Sequence, residues 1–453
     1  MSLSARASAI LRLAFVIAVG AAPFGAARAE DQLLLDSVRG ALGVVWAAQG
    51  ELKAERGEGP ALEEAAALGP AGQAVKIQAE ARSVIFTKSD RVACDWPATR
   101  SLSLWVYRSP EEAERRASTT IEVQFYEKNG KSRFWRVANL EHTGWKQVRV
   151  PLSWTRWGGN YIPEWKEVNR LAIFFRTPGE LWIDSIAVEP GTAAAGAEIT
   201  VEELAALAFP GEEEGTIRRF AREPVLVLTN APKLEGEELA AHLLRVTEAV
   251  EADLPFLEKP AAIAPLLVFA EEEQYRQFIP RLAEQLASQG RPPTSGGFTT
   301  QGIATSSWSE EYGTLRPVFA HEYVHALLAD RLRIANSGEW LHEGIAVRYQ
   351  LRFHPQENFA ALVRGALADP AAQRPLVELT NGEPISTRHY WQAATLVDWL
   401  FTEKNRPRLH ELVKAMREAG STNLSPHVET VLGTNWKALE AEWREYCETT
   451  YAP

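Results

Sequence analysis

The chain has 453 residues, of which 46% are hydrophobic and 24% charged, so a wholly disordered or collagen-like protein is excluded and two or three domains are expected. The net charge of −11 and the lack of any lysine- or arginine-rich run exclude a nucleic-acid binder of the usual basic type. Only two cysteines, Cys94 and Cys447, are present, which excludes a disulfide scaffold and a cysteine-rich zinc site.

Residues 1–29 have the features of a secretory signal peptide. Two arginines precede an apolar run over residues 13–22, and no acidic residue occurs before Glu30. Ala27 and Ala29 supply the small residues of a cleavage site. The run is shorter than the roughly 20 residues that span a bilayer, although an uncleaved membrane anchor is the alternative. We predict cleavage after Ala29 and export, secreted or periplasmic, with no stable membrane span afterwards.

Residues 31–190 are predicted to form an antiparallel β-sandwich of the jelly-roll type. Six short segments alternate apolar and polar residues or are rich in β-branched and aromatic side chains. They cover residues 74–79, 101–107, 120–126, 146–150, 168–175 and 181–188. Turn-forming sequences separate them without an intervening helical stretch, which favours an antiparallel sandwich. Residues 51–69 fit poorly and are predicted to form a loop or a short helix.

The predicted sandwich is rich in tryptophan, with eight of the chain's 15 between residues 91 and 190. The sequences around Trp145 and Trp182 resemble those of galactose-binding-like, carbohydrate-binding modules. This resemblance implies a jelly-roll fold, with a polysaccharide or glycan as a partner. Aromatic rings near predicted loops are suited to stacking on sugar rings, namely Trp154, Trp157 and Trp165. A structural accessory domain is the alternative.

Residues 191–216 are predicted to be a linker, and residues 217–453 a second domain of α+β class. The linker begins with small, uncharged residues. Helical periodicity then predicts helices at 201–207, 237–254, 271–288, 315–333, 339–352, 387–403, 406–418 and 434–448. Two apolar strands, 225–228 and 266–269, alternate with the first of these helices. Nearly everything after residue 314 is predicted to be helical.

A metal-binding pattern occurs on two consecutive predicted helices. His321 and His325 are four residues apart, so both imidazoles lie on one helix face and reach one ion. Glu322 lies one position further round the helix than His321, so its carboxylate can contact a water molecule bound to the ion rather than the ion itself. Glu343 lies in the sequence Trp-Leu-His-Glu-Gly-Ile-Ala on the next helix, which can fold back towards the histidines. Two histidines and a glutamate are a known ligand set for catalytic zinc, although two histidines on a structural helix are the alternative.

The two motifs together resemble those of the gluzincin metallopeptidases, and more closely the peptidase MA-like group of exported bacterial proteins. The resemblance covers roughly residues 220–450 and implies a zincin domain with a helical C-terminal half. It implies Zn2+ as the cofactor and names three ligands: His321, His325 and Glu343. Glu322 is then the catalytic base. No Gly-Ala-Met-Glu-Asn segment is present, so the aminopeptidase branch is not supported.

Three further assignments belong to this second domain. Tyr390 is the candidate for donating a hydrogen bond to a developing oxyanion, with His389 as the alternative. His342 points about 100° away from Glu343 on its helix, so we place it outside the ligand set, either behind the ligands or at the surface. In zincins an edge strand before the His-Glu helix binds the substrate backbone, and residues 296–305 occupy that place. A surface hairpin is the alternative there.

The sequence therefore predicts an exported zinc metallopeptidase, of endopeptidase type, that acts on a protein or peptide substrate. A zinc hydrolase of non-peptide amides or esters is compatible with the same residues. The alternative from a different class is a glycan-binding envelope protein whose zinc site is structural or degenerate. We expect no nucleic-acid partner, and we predict no bond between Cys94 and Cys447, which lie far apart in the sequence.

Overall fold

The computed structural model gives the protein two regions, each with its own hydrophobic core. It describes residues 33–36, 46–57, 74–88, 92, 94–128, 130–152, 156–159, 163–190, 201–213, 215–257, 263–285, 291–332, 334, 336 and 338–452. The predicted signal peptide and the first ten residues of the predicted linker lie outside this part. Within it, no helix combines the length and the apolar character that crossing a membrane requires.

The first region consists of twelve strands and one short helix among the described residues. They are β1 (Leu33–Asp36), β2 (Trp46–Gln49), β3 (Leu52–Gly57), β4 (Ala74–Ala79), β5 (Val84–Thr87), β6 (Thr99–Arg108), α1 (Pro110–Arg115), β7 (Thr119–Glu127), β8 (Ser132–Leu140), β9 (Gly144–Pro151), β10 (Arg156–Gly159), β11 (Val168–Phe175) and β12 (Gly179–Pro190). One sheet has the order β3-β4-β12-β6-β9, with β1 also paired to β12, and the other has the order β10-β8-β7-β11-β5-β2. Every pairing is antiparallel, which confirms the predicted β-sandwich.

Side-chain alternation explains how the two sheets pack. In β6, Leu102, Leu104 and Val106 are buried in the core between the sheets, whereas Trp105 and Tyr107 lie on the opposite face and are partly exposed. Both sheets contribute such alternate apolar residues to one continuous cluster. Burial of these side chains provides the main driving force for forming the sandwich.

One prediction for this region is wrong in the part that the structure describes. Of the segment 51–69, residues 52–57 form strand β3, which pairs with β4 from Leu52 opposite Ala79, rather than a loop or helix, and residues 58–69 lie outside the described residues. Local composition there favours a helix, but pairing with a buried neighbouring strand overrides that preference. Trp165 is partly buried and packs against the core, with its ring stacked on Phe134 at a centroid distance of 4.2 Å, and its contact with a sugar stays a prediction. The side chains of the other two tryptophans predicted to stack on sugars, Trp154 and Trp157, lie outside the described residues.

The second region begins with alternating strands and helices and ends in helices. Its elements are α2 (Val201–Ala208), β13 (Arg218–Arg222), β14 (Val225–Thr229), α3 (Gly236–Asp253), β15 (Ala264–Phe269), α4 (Glu272–Gln285), β16 (Gly297–Thr300), β17 (Ile303–Ser307), α5 (Pro317–Leu332), α6 (Trp340–Phe353), α7 (Phe359–Ala368), α8 (Leu376–Leu379), α9 (Tyr390–Leu400), α10 (Arg406–Ala419) and α11 (Trp436–Thr450). Its helical C-terminal half is confirmed.

The five strands form a mixed sheet of order β13-β14-β15-β17-β16, covered by helices on both faces. Strands β14, β15 and β17 are parallel, whereas β13 and β16 are antiparallel edge strands. Helices α3 and α5 share a core with one face of the sheet, and α2 and α4 share a core with the other. The central strands β14 and β15 are therefore buried on both sides, which explains their nearly continuous apolar sequences.

Part of the predicted linker over residues 191–216 is structured. Helix α2 occupies residues 201–208, and Leu204, Ala208 and Phe209 are buried in the core formed with α4. A segment that buries apolar side chains in this way belongs to the second region rather than to a flexible connection.

Candidate metal centre

Helices α5 and α6 present the residues of the predicted metal site. The buried face of α5 holds Phe319, Tyr323 and Val324 in the main core, and His321 and His325 lie on a neighbouring face. After α5 the chain turns back through Asn336 and Gly338; the side-chain oxygen of Asn336 accepts a hydrogen bond from the Gly338 amide at 3.0 Å. Gly338 has φ +77°, a conformation that other residues rarely adopt.

Hydrogen bonds of both main-chain and side-chain groups fix the start of α6. Glu339 caps the helix, because its carboxylate accepts hydrogen bonds from the amides of Leu341 and His342. The Trp340 indole is fully buried and donates to the carbonyl of Thr422 at 2.8 Å. These contacts fix the first turn of α6, which carries Glu343.

The structure brings His321, His325 and Glu343 together at one point. The two Nε2 atoms are 3.2 Å apart. The Oε2 atom of Glu343 lies 3.4 Å from Nε2 of His321 and 3.5 Å from Nε2 of His325. All three side chains are at least nine-tenths buried. One ligand atom from each therefore faces a common centre, with all three within 4.8 Å of one another.

This set of donors fits a divalent metal ion, and zinc in particular. Zinc accepts imidazole nitrogens and carboxylate oxygens in a three-residue set that leaves one position open. The Oε2 atom of Glu343 is buried and meets no hydrogen-bond donor with good geometry, which leaves its charge to be balanced in another way. Among the described residues, this is the cluster of histidine, cysteine and acidic side chains close enough to hold an ion.

The two glutamates of the site have opposite electrostatic environments. Burial is the largest influence on Glu322 and raises its pKa to about 7, against the opposing effects of His321 and the Thr299 hydroxyl. Burial acts in the same direction on Glu343, but the two imidazoles that face it outweigh burial and hold its pKa well below the usual range. Glu343 is therefore ionised at neutral pH, whereas the pKa of Glu322 lies close to neutrality.

Tyr390, at the start of α9, faces the same centre. Its ring is nearly parallel to that of His321, with centroids 6.2 Å apart. Burial raises the pKa of Tyr390, and the charges of Glu343 and Glu322 raise it further, so the phenol keeps its proton. A protonated phenol is a hydrogen-bond donor. The alternative residue, His389, is buried with Nδ1 3.3 Å from the Ser386 hydroxyl.

His342 lies outside the ligand set, as predicted, but it is not at the surface. Its ring is fully buried, and its Nδ1 forms a short hydrogen bond with the carboxylate of Glu339. The capping role of Glu339 explains this placement, because the same carboxylate binds the helix amides and the His342 ring. His342 thus supports the helix turn that carries Glu343.

Residues 296–305 form both of the features considered for them. Strands β16 and β17 make a hairpin, whose turn at Gln301 and Gly302 has positive φ at both residues. The hairpin is also the end of the five-stranded sheet, with β16 as the edge strand. Strand β16 lies against α5, and a Cβ added at Gly297 would lie 2.6 Å from Cγ of Glu322.

No model of a known protein family matches this chain, and no curated protein matches it. Among solved structures, it is similar to a family 11 carbohydrate-binding module from Clostridium thermocellum, in complex with a β-1,3-1,4-mixed-linked tetrasaccharide, at 14% identity and a TM-score of 0.26; the match covers 36% of this chain and 96% of that module. A CBM22-1 xylan-binding domain of Xyn10C from Paenibacillus barcinonensis matches at 14% identity and a TM-score of 0.23, over 33% of this chain and 88% of that domain.

A row of aromatic rings crosses the outer face of the first sheet. Strand register places Trp182 of β12 opposite Tyr107 of β6, and Tyr107 opposite Trp145 of β9. We call these three residues the aromatic row. The rings of Tyr107 and Trp145 have centroids 5.5 Å apart, and the ammonium group of Lys76 lies 5.6 Å from the ring centre of Trp182. All three aromatic residues are partly exposed.

Sequence reasoning missed three residues that shape the metal centre. Thr299 donates a hydrogen bond to Glu322, Glu339 caps α6, and the side-chain amide of Asn336 lies 3.1 Å from Nδ1 of His325. Glu339 is the first residue of the helix predicted over residues 339–352, and glutamate is not among the residues preferred at the N-cap, so no sequence signal marked its capping role. Nothing in the sequence distinguishes Thr299 from neighbouring threonines, because its role depends on how the hairpin packs against α5.

Proposed function

We propose that this chain is a zinc-dependent hydrolase that cleaves peptide bonds. The observation that carries this proposal is the convergence of three buried donor atoms within 4.8 Å, from two histidines and a glutamate. A second buried glutamate directly follows the first of these histidines in the sequence. His321, His325 and Glu343 would hold the metal ion. When bound, zinc supplies Lewis acidity, which polarises a carbonyl group and lowers the pKa of a water molecule.

The other residues of the site divide the proton chemistry between them. Glu322 takes a proton from the attacking water, since its pKa of about 7 suits a general base at neutral pH. It later delivers that proton to the leaving amine. The Tyr390 phenol keeps its own proton and donates a hydrogen bond to the oxygen on which negative charge develops.

A peptide substrate is favoured because an edge strand lies beside the general base. Strand β16 ends the sheet and packs against α5 at Glu322. An edge strand binds an extended peptide through main-chain hydrogen bonds, as an added strand of the sheet. This arrangement supports an endopeptidase more than a hydrolase of small esters or amides. We also propose that the mature protein acts after export, as its first 29 residues predict.

The test compares metal content with peptide cleavage in matched variants. Purified wild-type protein is expected to hold about one zinc per chain and to cleave peptides in an unbiased library. Glu322→Gln is expected to keep the zinc and lose at least about a hundredfold in kcat, because the amide cannot accept the proton. His325→Ala is expected to lose both zinc and activity. Far-ultraviolet circular dichroism of all three proteins establishes that they are folded.

Stoichiometric zinc without cleavage of any peptide would contradict the peptidase assignment. Ester and non-peptide amide substrates tested in parallel then identify the other class of hydrolase. Equal peptide cleavage by the Glu322→Gln variant would exclude Glu322 as the base.

The aromatic row supports a second candidate function, the binding of a glycan by the sandwich. Flat, partly exposed rings on adjacent strands suit the apolar faces of successive sugar units. Lys76 on the neighbouring strand β4 and Gln147 on β9, the strand of Trp145, supply polar groups for sugar hydroxyls. This function is compatible with hydrolysis by the second region, because the two sites lie on different cores.

Polysaccharide pull-down with the full-length protein tests the glycan proposal. The double variant Tyr107→Ala/Trp145→Ala is expected to lose retention on any polysaccharide that the wild type binds. A matched control is Phe298→Ala, which removes an exposed ring from the second region. Equal retention of the row variant and the wild type would place binding elsewhere, and no retention of the wild type on a broad panel would remove this candidate.

A further inference from the structure

We propose that Thr299 is a positioning residue for the catalytic base, so that the edge strand β16 holds Glu322 in place while it binds substrate. This inference rests on the proposed function, because a base is positioned usefully only where a reaction takes place. The hairpin of β16 and β17 then has two roles: it orients Glu322, and its edge strand pairs with the substrate backbone.

The contact between Thr299 and Glu322 is direct. The Thr299 hydroxyl lies 2.7 Å from Oε2 of Glu322 and 3.0 Å from the main-chain carbonyl oxygen of the same residue. A hydroxyl group has one proton, and the carboxylate is the stronger acceptor once it is charged. The hydroxyl therefore donates to the carboxylate and fixes the rotation of the Glu322 side chain.

Gly297 confines the same side chain from a second direction. A Cβ added there would lie 2.6 Å from Cγ and 2.8 Å from Oε1 of Glu322, closer than real side-chain contacts allow. The Glu322 carboxylate thus lies directly over the Gly297 backbone, with its other oxygen bound by Thr299. Thr299 thus binds one oxygen, and the close approach of the Gly297 backbone restricts the space open to the rest of the side chain.

Strand alternation explains why one short strand can do both tasks. Gly297 and Thr299 are two residues apart, so they share the face of β16 that packs on α5. Phe298 lies on the opposite face and is 40% exposed. The main-chain groups along the free edge of β16 point sideways, away from both faces, and are the groups that pair with an extended peptide. Substrate and base therefore share a single rigid support.

A structural explanation for Thr299 makes a different prediction. If Thr299 only stabilises the hairpin, its replacement lowers the thermal midpoint and reduces activity in proportion to the unfolded fraction. A positioning role instead lowers kcat in fully folded protein and leaves KM nearly unchanged, because the strand still pairs with substrate. Removing a side chain that orients another residue of a site typically lowers activity by about 10- to 100-fold.

The test uses Thr299→Val, which keeps the β-branched shape and removes the hydroxyl, and Thr299→Ser, which restores a hydroxyl. We expect Thr299→Val to lower kcat by about 10- to 100-fold, with KM within about twofold of the wild type. Thr299→Ser is expected to recover kcat to within about threefold. Zinc affinity, measured by competition with a chromogenic chelator, is expected to be unchanged in both variants. Gly297→Ala, which pushes Glu322 out of place, is expected to lower kcat as well.

Infrared difference spectroscopy supplies a readout that does not depend on activity. Subtracting the spectrum of Glu322→Gln at alkaline pH isolates the carboxylate stretch of Glu322. This band is expected to shift in Thr299→Val and to stay in place in Thr299→Ser. An unshifted band in Thr299→Val, or an equal kcat, overturns the positioning role.

The two proposals fail in different ways. If the Glu322 band shifts in Thr299→Val but the wild-type protein cleaves no substrate, the contact is upheld and the hydrolase function is excluded. Cleavage by the wild type with an unshifted band upholds the function and removes the role of Thr299. A loss of zinc affinity in Thr299→Val would also overturn the inference, because it places Thr299 in support of the metal ligands.

Discussion

Glu322 and Glu343 are buried carboxylates of one site, yet their neighbours shift their pKa values in opposite directions. Burial raises the pKa of Glu322 to about 7, whereas the facing imidazoles hold that of Glu343 far lower. Pairs of groups separated in this way usually divide the chemical roles of an active site. The sequence predicted both residues and Tyr390 as members of one site, whereas the contact of the Thr299 hydroxyl with Glu322 depends on folding.

The pKa of Glu322 predicts an acid limit to activity. Glu322 can accept a proton only when it is ionised, so we expect kcat/KM to fall about tenfold for each pH unit below about pH 7. The measurement uses an uncharged peptide substrate, and zinc content is determined at each pH to separate metal loss from protonation. Activity that is constant down to about pH 5 with zinc retained would rule out this assignment.

Tyr390→Phe tests the oxyanion donor. The variant keeps the ring beside His321 and removes the hydroxyl, so zinc content and the thermal midpoint are expected to be unchanged. We expect kcat to fall by about 10² to 10³, as for other single oxyanion donors. Phe401→Tyr, at the residue that follows α9, is a control because it also changes one ring by a single hydroxyl but does so away from the site. A kcat within about threefold of the wild type in Tyr390→Phe would direct attention to His389.

At the level of whole elements, the position of Glu343 depends on how closely α6 approaches α9. A Cβ added at Gly344 would lie 2.6 Å from Cγ2 of Val397 and 2.7 Å from the carbonyl oxygen of Ala393, which belongs to the backbone and cannot move alone. The helices themselves were predictable from apolar periodicity. Their close contact was not, because it depends on which helices become neighbours after the chain has folded.

Gly344→Ala is therefore expected to be destabilising, against the usual helix preference for alanine. Overpacking of this kind costs about 1 to 3 kcal/mol, and it should also weaken zinc binding by displacing Glu343. Gly365→Ala on α7 is the matched control, since a Cβ there meets nothing within 4 Å. That variant is expected to be neutral or more stable by up to about 1 kcal/mol. Urea unfolding of both variants measures the difference, and equal stabilities would contradict the close packing.

One missed strand and one wrongly assigned helix have a common physical cause. Strand β3 has a helix-like composition and is held by pairing with β4, and the helix predicted at 201–207 is present as α2 but packs in the second region instead of the predicted linker. In both cases contacts with distant parts of the chain decide the conformation. Segments with strong periodicity, such as α10 and β6, needed no such information and were predicted to within two residues of their ends.

At the scale of the whole molecule, the described residues form three hydrophobic clusters, one between the sheets of the sandwich and one on each face of the mixed sheet of the second region. All three proposed metal ligands lie on α5 and α6, in the second region. Composition and periodicity predicted this division into a β-rich half and a helix-rich half. The outer-face arrangement of the aromatic row could not be predicted, because it depends on strand register.

Metal removal is expected to destabilise one region alone. A ligand that binds only the folded state stabilises it by about 2.7 kcal/mol when present at a hundred times its dissociation constant. Chelation should therefore lower the thermal midpoint of the second region and leave that of the sandwich unchanged. Differential scanning calorimetry with and without chelator measures both transitions, and His325→Ala should abolish the difference. An equal shift of both transitions would contradict the independence of the two cores.

Strand β16 is only four residues long, and this short length limits which substrates the proposed enzyme can bind. Few main-chain partners are available, so only a polypeptide already free of its own secondary structure can dock there. Compact native proteins would escape attack, while unfolded or damaged chains would be degraded. Digestion of one protein before and after heat denaturation measures this discrimination, and equal rates would argue against it.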